Sequence, residues 1–372
     1  MPRLLFATRK PFYPDSSGGA QRSSLYIFNS LKQKGWEIEV ICLFPLRLSS
    51  IKRVGWKITT LPISFFSTID KDLGYICRRK ISLKKLPGAK QIDVNQWNKW
   101  LDSRLEMFKP DIVLGDSSAS SPLIRRAIHR GYKSIHIARS IPFLSVPSII
   151  PPELHLIGNS IYMAGVIEAV TQKKVDVVLP LVDHEEYRVK NRKRHYITFI
   201  NPIPQKGVDL AIEMARAMPE KSFLFVKGRW SGFSSRHLES FVKPARKLPN
   251  VDVWEHQDDM RAVYEMTNIL LLPSQFIETF GRVIVEANIN GIPVVAANVG
   301  GIPYALGKGG ILINPINNLG GYLKALRKIC GDQSLYEKLS KLALQNSRRK
   351  EFAPEYQMEK FLRIINRVMN GG

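Results

Sequence analysis

Short apolar runs alternate with stretches of helical periodicity along most of this chain, and this alternation restricts the fold more than any other feature of the sequence. The runs are rich in β-branched residues and end at Gly, Pro or polar clusters, which is typical of strands. Between the first two runs, Ser24, Phe28 and Leu31 follow the spacing of a helix with one buried face. Apolar strands separated by helices predict parallel sheets that are covered on both faces.

The pattern occurs twice, and 372 residues suit two domains better than one. Between the two series, Tyr187–His195 is strongly basic and poor in apolar residues, which indicates a domain boundary. The predicted strands are, in the first series, Leu4–Thr8, Ile38–Phe44, Lys57–Pro62, Asp111–Asp116, Ser134–Ala138, Leu154–Gly158 and Val175–Pro180, and in the second series, Tyr196–Ile200, Ser222–Gly228, Val251–Glu255, Asn268–Pro273, Pro293–Ala297 and Gly310–Asn314.

The chain is therefore predicted to be an α/β protein with two Rossmann-like domains whose parallel sheets face each other across a cleft. The domains are expected at residues 1–185 and 186–352, and residues 353–372 are expected to form a helix that packs back toward the N-terminal domain. Ligands of such sheets bind at the carboxyl ends of the strands, so the cleft is the expected site.

The chain has 55 Lys and Arg residues against 32 Asp and Glu residues, a net formal charge of +23. Such a charge favours anionic partners, namely nucleic acid, acidic lipid surfaces or phosphorylated ligands. Tyr75–Lys90 mixes six basic residues with apolar ones. This stretch is interpreted either as a surface that rests on an anionic membrane or as a solvated loop.

The expected location is the cytoplasm, with peripheral association at the inner face of the membrane as an open alternative. Three scattered cysteines without a C-x-x-C spacing favour reduced thiols. No apolar run approaches the about 18 residues that predict a membrane-spanning helix. The apolar part of Met1–Lys10 is too short for a signal peptide and is interpreted as the first strand.

The segment from Ser274 to Pro303, SQFIETFGRVIVEANINGIPVVAANVGGIP, places two glutamates around a predicted turn between a strand and a helix. The helix is expected to begin near Gly281, where unpaired backbone N–H groups and the helix dipole favour a phosphate. Glycine at this position lets the phosphate approach the backbone closely. Glu278 lies before the helix, and Glu286 lies inside it, roughly 7–8 Å further along.

This separation suits one ligand that has a diphosphate over the helix start and a hydroxyl-bearing group on each side, with one carboxylate for each group. The alternative is that Glu278 is a charge partner of the helix start and that Glu286 is a solvated helix residue.

The segment resembles the donor-site signature of retaining glycosyltransferases of family 4, which have the GT-B fold of two Rossmann-like domains. In that signature, F-G follows the first glutamate of E-x7-E, and G-x-P-V-V-A follows the second. The matching residues are Glu278, Phe280, Gly281, Glu286, Gly291, Pro293, Val294, Val295 and Ala296, and Val299–Pro303 matches the glycine loop that comes next.

Three further segments resemble the same family, so the resemblance covers most of the chain apart from roughly residues 45–110. Tyr13–Ile41 resembles its first loop and helix, with Gly18 and Gly19 at the family's glycine pair. Pro202–Gly228 resembles the opening of the second domain, with Lys206 at the phosphate-binding lysine. Ile157–Ile167 resembles the Asn-Ser step late in the first domain.

The sequence departs from the family pattern at three places. Ile200 and Asn201 stand where the family has Gly-Arg, so Arg229 or Arg282 is a candidate for the missing diphosphate contact. Tyr304 stands where the family has Glu after the proline of the glycine loop. The family's first-domain histidine has no match: His136 is interpreted as a packed core residue, and Arg139, at the end of the same predicted strand, as a site candidate.

The resemblance implies transfer of a sugar from a nucleotide-sugar donor, bound to the second domain, to a glycan or lipid-linked acceptor, bound to the first, with retention of anomeric configuration. Lys206 and the backbone around Thr279, Phe280, Gly281, Arg282 and Val283 would stabilise the leaving diphosphate. Glu278 would hold sugar hydroxyls and Glu286 the ribose. No cofactor and no metal are expected, because the histidines do not have a metal-binding spacing.

Two alternatives stay open. A UDP-N-acetylglucosamine 2-epimerase shares the architecture and needs no acceptor. A non-catalytic protein that binds anions or nucleic acid would use the basic charge, although no nucleic-acid-binding module is recognisable. The donor base, the sugar and the acceptor are left open by the sequence.

Overall fold

The chain forms two compact α/β units. The computed structural model describes residues 1–16, 18–44, 65–70, 74–81, 94–140, 150–228 and 235–371. Unit 1 comprises Met1–Val178 and Met358–Gly372, and unit 2 comprises Leu179–Gln357. Each unit is built on its own open sheet, with helices between most successive strands. The predicted class, an α/β protein with two parallel-sheet domains, is confirmed.

Unit 1 is built on one mostly parallel sheet. Its strands are β1 (Arg3–Pro11), β2 (Glu37–Phe44), β3 (Phe65–Asp70), β4 (Tyr75–Ile81), β5 (Ile112–Gly115), β6 (Ser134–Ala138), β7 (His155–Gly158) and β8 (Asp176–Val177). They lie in the order β3-β4-β2-β1-β5-β6-β7-β8, and β3 alone of these described strands runs antiparallel to its neighbour. The helices between them are α1 (Gly19–Gln33), α2 (Val94–Phe108), α3 (Ser121–His129) and α4 (Ile161–Thr171). The strand order therefore reverses between β1 and β5.

The core of unit 1 explains why its strands are nearly continuous apolar runs. Leu4, Leu5 and Phe6 of β1 are fully buried although successive side chains point to opposite faces of the sheet. Helices must therefore cover both faces, as predicted. Six of the seven strands predicted for this half coincide with β1, β2 and β5 to β8, and the seventh, Lys57–Pro62, lies outside the described residues.

The interpretation of Tyr75–Lys90 as a lipid-facing or solvated stretch is wrong for its first seven residues. Tyr75–Ile81 is strand β4, which pairs with β2 inside the sheet. Arg79 is fully buried, and its Nε lies 3.4 Å from the Asp15 carboxylate. Lys80 is 2% exposed, and its ammonium lies 5.7 Å from the ring centroid of Trp97. Two basic residues of this stretch therefore have interior partners and are not available to a membrane surface.

A buried ion cluster joins β2, β4 and α2 of unit 1. The side chain of Glu39 is 1% exposed, and its two oxygens accept from Nε and Nη2 of Arg104 at 2.6 and 3.0 Å. Arg78 of β4 adds a third contact, with its Nε 2.9 Å from the same carboxylate. The charge is tolerated in the interior because both oxygens have cationic donors.

Unit 2 is built on a fully parallel sheet of six strands. The strands are β9 (Tyr196–Ile200), β10 (Phe223–Val226), β11 (Val251–Trp254), β12 (Thr267–Leu272), β13 (Val294–Ala297) and β14 (Gly310–Ile313), in the order β11-β10-β9-β12-β13-β14. All six predicted strands of the second series are confirmed. The order reverses between β9 and β12, and ligands of open α/β sheets bind outside the carboxyl ends of the strands at such a point.

Helices cover both faces of this second sheet. They are α5 (His184–Tyr187), α6 (Val208–Ala217), α7 (Ser235–Val242), α8 (Arg261–Met266), α9 (Arg282–Asn288), α10 (Ile302–Leu306), α11 (Leu319–Gly331) and α12 (Gln333–Ser347). Short 3₁₀ turns occur at Pro204–Lys206, Ala245–Lys247 and Lys350–Phe352. One layer of the core contains Phe199 and Phe225 of neighbouring strands, with ring centroids 5.3 Å apart.

The basic segment Tyr187–His195 belongs to unit 2 and is held by it. The guanidinium of Arg192 donates to the carbonyl oxygens of Asn290 and Thr267 at 3.0 and 2.9 Å, and to the Tyr336 hydroxyl at 2.9 Å. A guanidinium has five N–H donors in a fixed plane, so it can satisfy several carbonyl groups at the end of a sheet.

Helix α13 (Pro354–Met369) closes the chain, and from Met358 onward it belongs to unit 1. There Arg367 pairs with Asp176 of β8, and Lys133 bonds the carbonyl oxygen of Met369. Across the described ranges, no helix is both long enough and apolar enough to cross a bilayer.

We expect Glu39→Gln to destabilise unit 1 by about 3 kcal/mol, because it leaves two arginines without a buried counter-charge. Glu37→Gln, two residues earlier on the same strand, is the matched control. Its pair with Arg3 is about half exposed on both sides, at 45% and 43%, and removing it should cost no more than about 1 kcal/mol. Urea unfolding of both variants measures the difference, and equal midpoints would contradict the prediction.

Candidate functional site

The loops after β9 and β12 are in direct contact at the carboxyl edge of the unit 2 sheet. The backbone N–H of Gln275 donates to the carbonyl oxygen of Gln205 at 2.9 Å. A Cβ on Gly207 would lie 2.1 Å from the carbonyl oxygen of Pro273, and Gly207 has a φ of +84°. Glycine is therefore required here both for the conformation and for the approach of the two loops.

Lys206 and Glu278 meet across this contact. The Lys206 ammonium bonds Oε1 of Glu278, and the hydroxyl of Ser274 donates to the same oxygen at 3.0 Å. The two charged side chains are 14% and 10% exposed. The ammonium also lies 5.2 Å from the ring centroid of Phe276. The cation and the carboxylate that the sequence predicted for one ligand are thus adjacent, partly desolvated and positioned by different loops.

Gly300 and Gly301, the double glycine after β13, pack against the backbone around Glu278. The N–H of Gly301 donates to the carbonyl oxygen of Glu278 at 2.8 Å. A Cβ on Gly300 would lie 2.1 Å from that oxygen, and one on Gly301 would lie 2.2 Å from the carbonyl oxygen of Thr279. Any other residue at either position would displace the turn, so the glycines fix where Glu278 lies.

Helix α9 begins at Arg282, directly after Gly281, which has a φ of +89° and adopts the left-handed conformation. The predicted helix start near Gly281 is confirmed. Phe280 is buried, and its ring lies 6.0 Å from that of Phe352 in an edge-to-face arrangement. This packing anchors the turn, while Thr279 and Val283 are half-buried.

Glu286 is buried, so the alternative interpretation of it as a solvated helix residue is wrong. Its exposed fraction is 5%. Oε1 accepts from Nε of Arg282 at 2.7 Å, and Oε2 accepts from the hydroxyl of Tyr264 at 2.7 Å. Burial, and then the Glu286 charge, raise the pKa of Tyr264 well above its ordinary value. The tyrosine therefore stays a hydrogen-bond donor at neutral pH.

Arg282 is tied into the same group. Its Nη2 donates to the hydroxyl of Tyr187 at 2.9 Å, and its guanidinium carbon lies 5.5 Å from the centroid of that ring. Although burial lowers the pKa of Arg282, the neighbouring Tyr187 and Glu286 raise it overall. No sequence pattern indicated Tyr187 or Tyr264 as part of this group, because both lie far from Glu286 along the chain.

Asn201 and Arg229 are two other residues of the second domain that were predicted to bind the substrate. Asn201 follows β9 with a φ of +62°. Its Oδ1 lies 1.4 Å from where a Cβ on Gly228 would be, so its side chain packs against the end of β10. Arg229 lies outside the described residues.

In unit 1, Arg139 lies near the N-terminus of α1, which begins at Gly19 directly after Gly18. It bonds the carbonyl oxygen of Ala20, donates to the Ser24 hydroxyl at 3.0 Å, and lies 3.9 Å from the Asp116 carboxylate. The loops after β1, β5 and β6 therefore converge at the point where the strand order reverses.

Asp116 is the residue in this cluster that the sequence analysis missed, although its place at the end of a predicted strand was a signal. Burial raises its pKa, and the Arg139 charge opposes that effect. His136 is fully buried in β6, and burial, followed by the Arg139 charge, lowers its pKa to about 3. It is a neutral core residue, as interpreted.

Comparison with known proteins identifies the second unit. Residues 183–346 match the family model described as glycosyl transferases group 1. This part of the chain is a glycosyltransferase group 1 domain. The match includes Lys206, Glu278 and Glu286, the charged residues of the site just described. Among curated proteins, no sequence matches this chain.

Several solved structures share the fold of the whole chain. Sucrose-phosphate synthase from Thermosynechococcus elongatus has a TM-score of 0.80 at 14% identity, covering 100% of both chains. HepE from Anabaena, in complex with UDP and glucose, has a TM-score of 0.76 at 14% identity over 98% of this chain and 100% of that one. A glycosyltransferase from Rickettsia africae has a TM-score of 0.74 at 16% identity, covering 100% of this chain and 99% of that one. The two parallel-sheet domains of the chain are thus of the GT-B type.

We expect Gly301→Ala in the glycosyltransferase domain to displace the Thr279–Phe280 turn and to lower the stability of the domain by about 1–3 kcal/mol, because the added methyl group overlaps a carbonyl oxygen. Gly331→Ala is the matched control, since an added Cβ there meets no atom within 4 Å and the residue ends helix α11. Thermal unfolding compares the two variants. Equal stability would show that the glycine loop can move away from the turn.

Proposed function

We propose that the chain is a retaining glycosyltransferase of family 4 that transfers a sugar from a nucleotide-sugar donor to an acceptor. The observation that carries this proposal is the contact of Lys206 with Glu278 at the point of the glycosyltransferase domain where the strand order reverses. The matched segments that surround both residues, and the complexes of HepE with UDP and UDP-glucose, support the same assignment.

In the proposed mechanism, Lys206 stabilises the diphosphate that leaves. Cleavage of the bond between sugar and phosphate builds negative charge on the leaving group, and a fixed cation in a partly desolvated site lowers the energy of that transition state. Donor binding exchanges the bond between Lys206 and Glu278 for two others. The ammonium then contacts the diphosphate, and the carboxylate accepts from hydroxyl groups of the sugar.

Backbone N–H groups of Thr279–Val283 are proposed to add to this stabilisation, since the first N–H groups of a helix have no intrahelical partner. Arg282 bonds Glu286 and Tyr187 through two of its nitrogens, so the diphosphate contact is assigned to Lys206 instead. The proposal contains no protein nucleophile, and retention then leaves the departing phosphate as the base for the acceptor hydroxyl.

The acceptor is proposed to bind unit 1, at the edge where Gly18, Gly19 and Arg139 lie. This edge has the chemistry for a polar acceptor, because it combines the Arg139 guanidinium with the Asp116 carboxylate and the Ser24 hydroxyl. Glycan and lipid-linked acceptors both stay within the proposal. With Tyr75–Ile81 inside the sheet, peripheral membrane binding rests on the net charge of +23 and on the basic residues of positions 82–90, which lie outside the described residues.

Lys206→Ala should lower kcat for nucleoside diphosphate release roughly 10²–10³-fold, because the lost charge acts mainly on the transition state. The assay uses a panel of nucleotide sugars with mixed glycan and lipid-linked acceptors. Lys324→Ala, an exposed lysine of α11 in the same domain, is the matched control and should keep full activity.

The product of the same reaction tests the rest of the proposal. Proton NMR of the glycoside should show the anomeric configuration of the donor. An inverted product would exclude retention. Formation of an epimer without net release of nucleoside diphosphate would identify an epimerase instead. Salt-sensitive binding of RNA or DNA without turnover would identify a nucleic-acid-binding protein.

We also propose that transfer needs no metal ion, since Lys206 supplies the positive charge that a divalent cation would otherwise bring to the diphosphate. Activity should therefore be unchanged after treatment with excess EDTA. If EDTA abolishes the activity of the wild type and Mg²⁺ or Mn²⁺ restores it, this expectation is contradicted. A loss of activity after EDTA that occurs only in the Lys206→Ala variant would not contradict it.

A further inference from the structure

Two side chains, Arg282 and Tyr264, hold the carboxylate of Glu286 in one orientation. Arg282, one turn earlier on α9, donates to Oε1, and Tyr264 of α8 donates to Oε2, both at 2.7 Å. A donor on each oxygen prevents rotation of the carboxylate about its terminal bond. All three side chains are largely buried, so water competes little for these hydrogen bonds.

The two donors are themselves fixed. The Tyr187 hydroxyl accepts from Nη2 of Arg282 at 2.9 Å, and the Tyr187 ring packs edge-to-face on Tyr264 with centroids 6.3 Å apart. Asn290, two residues after the end of α9, donates from Nδ2 to the Tyr187 carbonyl oxygen at 2.9 Å. Tyr187 is 2% exposed. The group is therefore a rigid support rather than a set of mobile surface contacts.

In this arrangement, Glu286 keeps acceptor sites for two further hydrogen bonds. An ionised carboxylate has about four lone-pair sites, two on each oxygen. Arg282 and Tyr264 each occupy one site on a different oxygen, so one site on each oxygen is left. Two neighbouring hydroxyl groups on one five-membered ring present two donors with a similar separation. A ribose has such a pair, and a 2′-deoxyribose does not.

We propose that Tyr264 and Arg282 are positioning residues that orient the Glu286 carboxylate toward the two ribose hydroxyls, and that they thereby make the donor site selective for ribonucleotides over deoxyribonucleotides. The inference rests on the proposed function, because it takes Glu286 as the ribose-binding residue of that site. Neither Tyr264 nor Arg282 contacts the nucleotide in this account. Both act through Glu286.

The test compares binding of a nucleoside diphosphate with binding of its 2′-deoxy form. The probe is whichever of UDP, GDP and ADP binds the wild-type protein most tightly, measured by calorimetry. Hydrogen bonds to a charged group are worth enough that the wild type should prefer the ribonucleotide about 10-fold. In Tyr264→Phe the preference should fall to about 2-fold, because the carboxylate is then free to turn, and Glu286→Gln should show a similar loss.

Tyr322→Phe is the matched control. Tyr322 is a fully buried tyrosine of α11 in the same unit, and its hydroxyl has no hydrogen-bond partner among the described residues. Its removal should leave the ribose preference at the wild-type value. Thermal unfolding of each variant checks that the domain is intact. If Tyr264→Phe does not fold, Arg282→Lys replaces it, since lysine keeps the charge but not the planar donor geometry.

The outcomes separate the two proposals. If Tyr264→Phe, or Arg282→Lys in its place, weakens both nucleotides equally and keeps the 10-fold ratio, its role is structural and the inference is overturned. If the wild type releases nucleoside diphosphate from a nucleotide sugar but binds both forms equally, the inference falls and the proposed function stands. If the wild type binds no nucleoside diphosphate and turns over no activated sugar, both proposals fall.

Discussion

The candidate site depends on the contact between two loops that leave neighbouring strands at the point where the strand order of unit 2 reverses. Connections from β9 and β12 run to opposite sides of the sheet, which opens a crevice in most sheets of this kind. Here Gly207 and Pro273 approach each other so closely that only a glycine fits, and the ion pair of Lys206 with Glu278 lies directly beside them. The close approach brings two opposite charges to one place although 72 residues separate them in the chain.

Buried and half-buried charges with ionic or hydrogen-bond partners recur in both units, and they account for part of the basic composition. Glu39 accepts from two arginines, Arg192 donates to backbone carbonyl groups, and Arg79 lies against Asp15. A buried charge without a partner would cost several kcal/mol, so each of these contacts stabilises its unit. Several basic residues are therefore interior and do not face a partner.

Sequence patterns were sufficient for most strands but not for every position. A parallel strand covered on both faces is an apolar run, and that signal marked β1, β2 and all of β9 to β14. Strand β4 was missed because Arg78, Arg79 and Lys80 break the apolar pattern, and only tertiary partners such as Asp15 and Glu39 make a basic strand tolerable. In the site, the spacing of Glu278 and Glu286 and the helix start at Gly281 were predictable because they are local. The tertiary contacts around Glu286 were not, since Tyr264 reaches Glu286, and Tyr187 reaches Arg282, only through the packing of α8 and α5 against α9.

The departure of Tyr304 from the family pattern has a physical explanation in the packing behind the site. The guanidinium carbon of Arg349 lies 4.6 Å from the ring centroids of both Tyr304 and Phe352, and Nη1 of Arg349 donates to the Tyr304 carbonyl oxygen at 3.1 Å. Phe352 in turn packs edge-to-face on Phe280, the aromatic residue of the turn that carries Glu278. The Tyr304 ring therefore adds to the packing of Arg349 against Phe352, and Phe352 in turn supports the turn. A carboxylate there would keep the charge attraction to Arg349 but would lose the ring face, so this chain supports the same turn with aromatic packing.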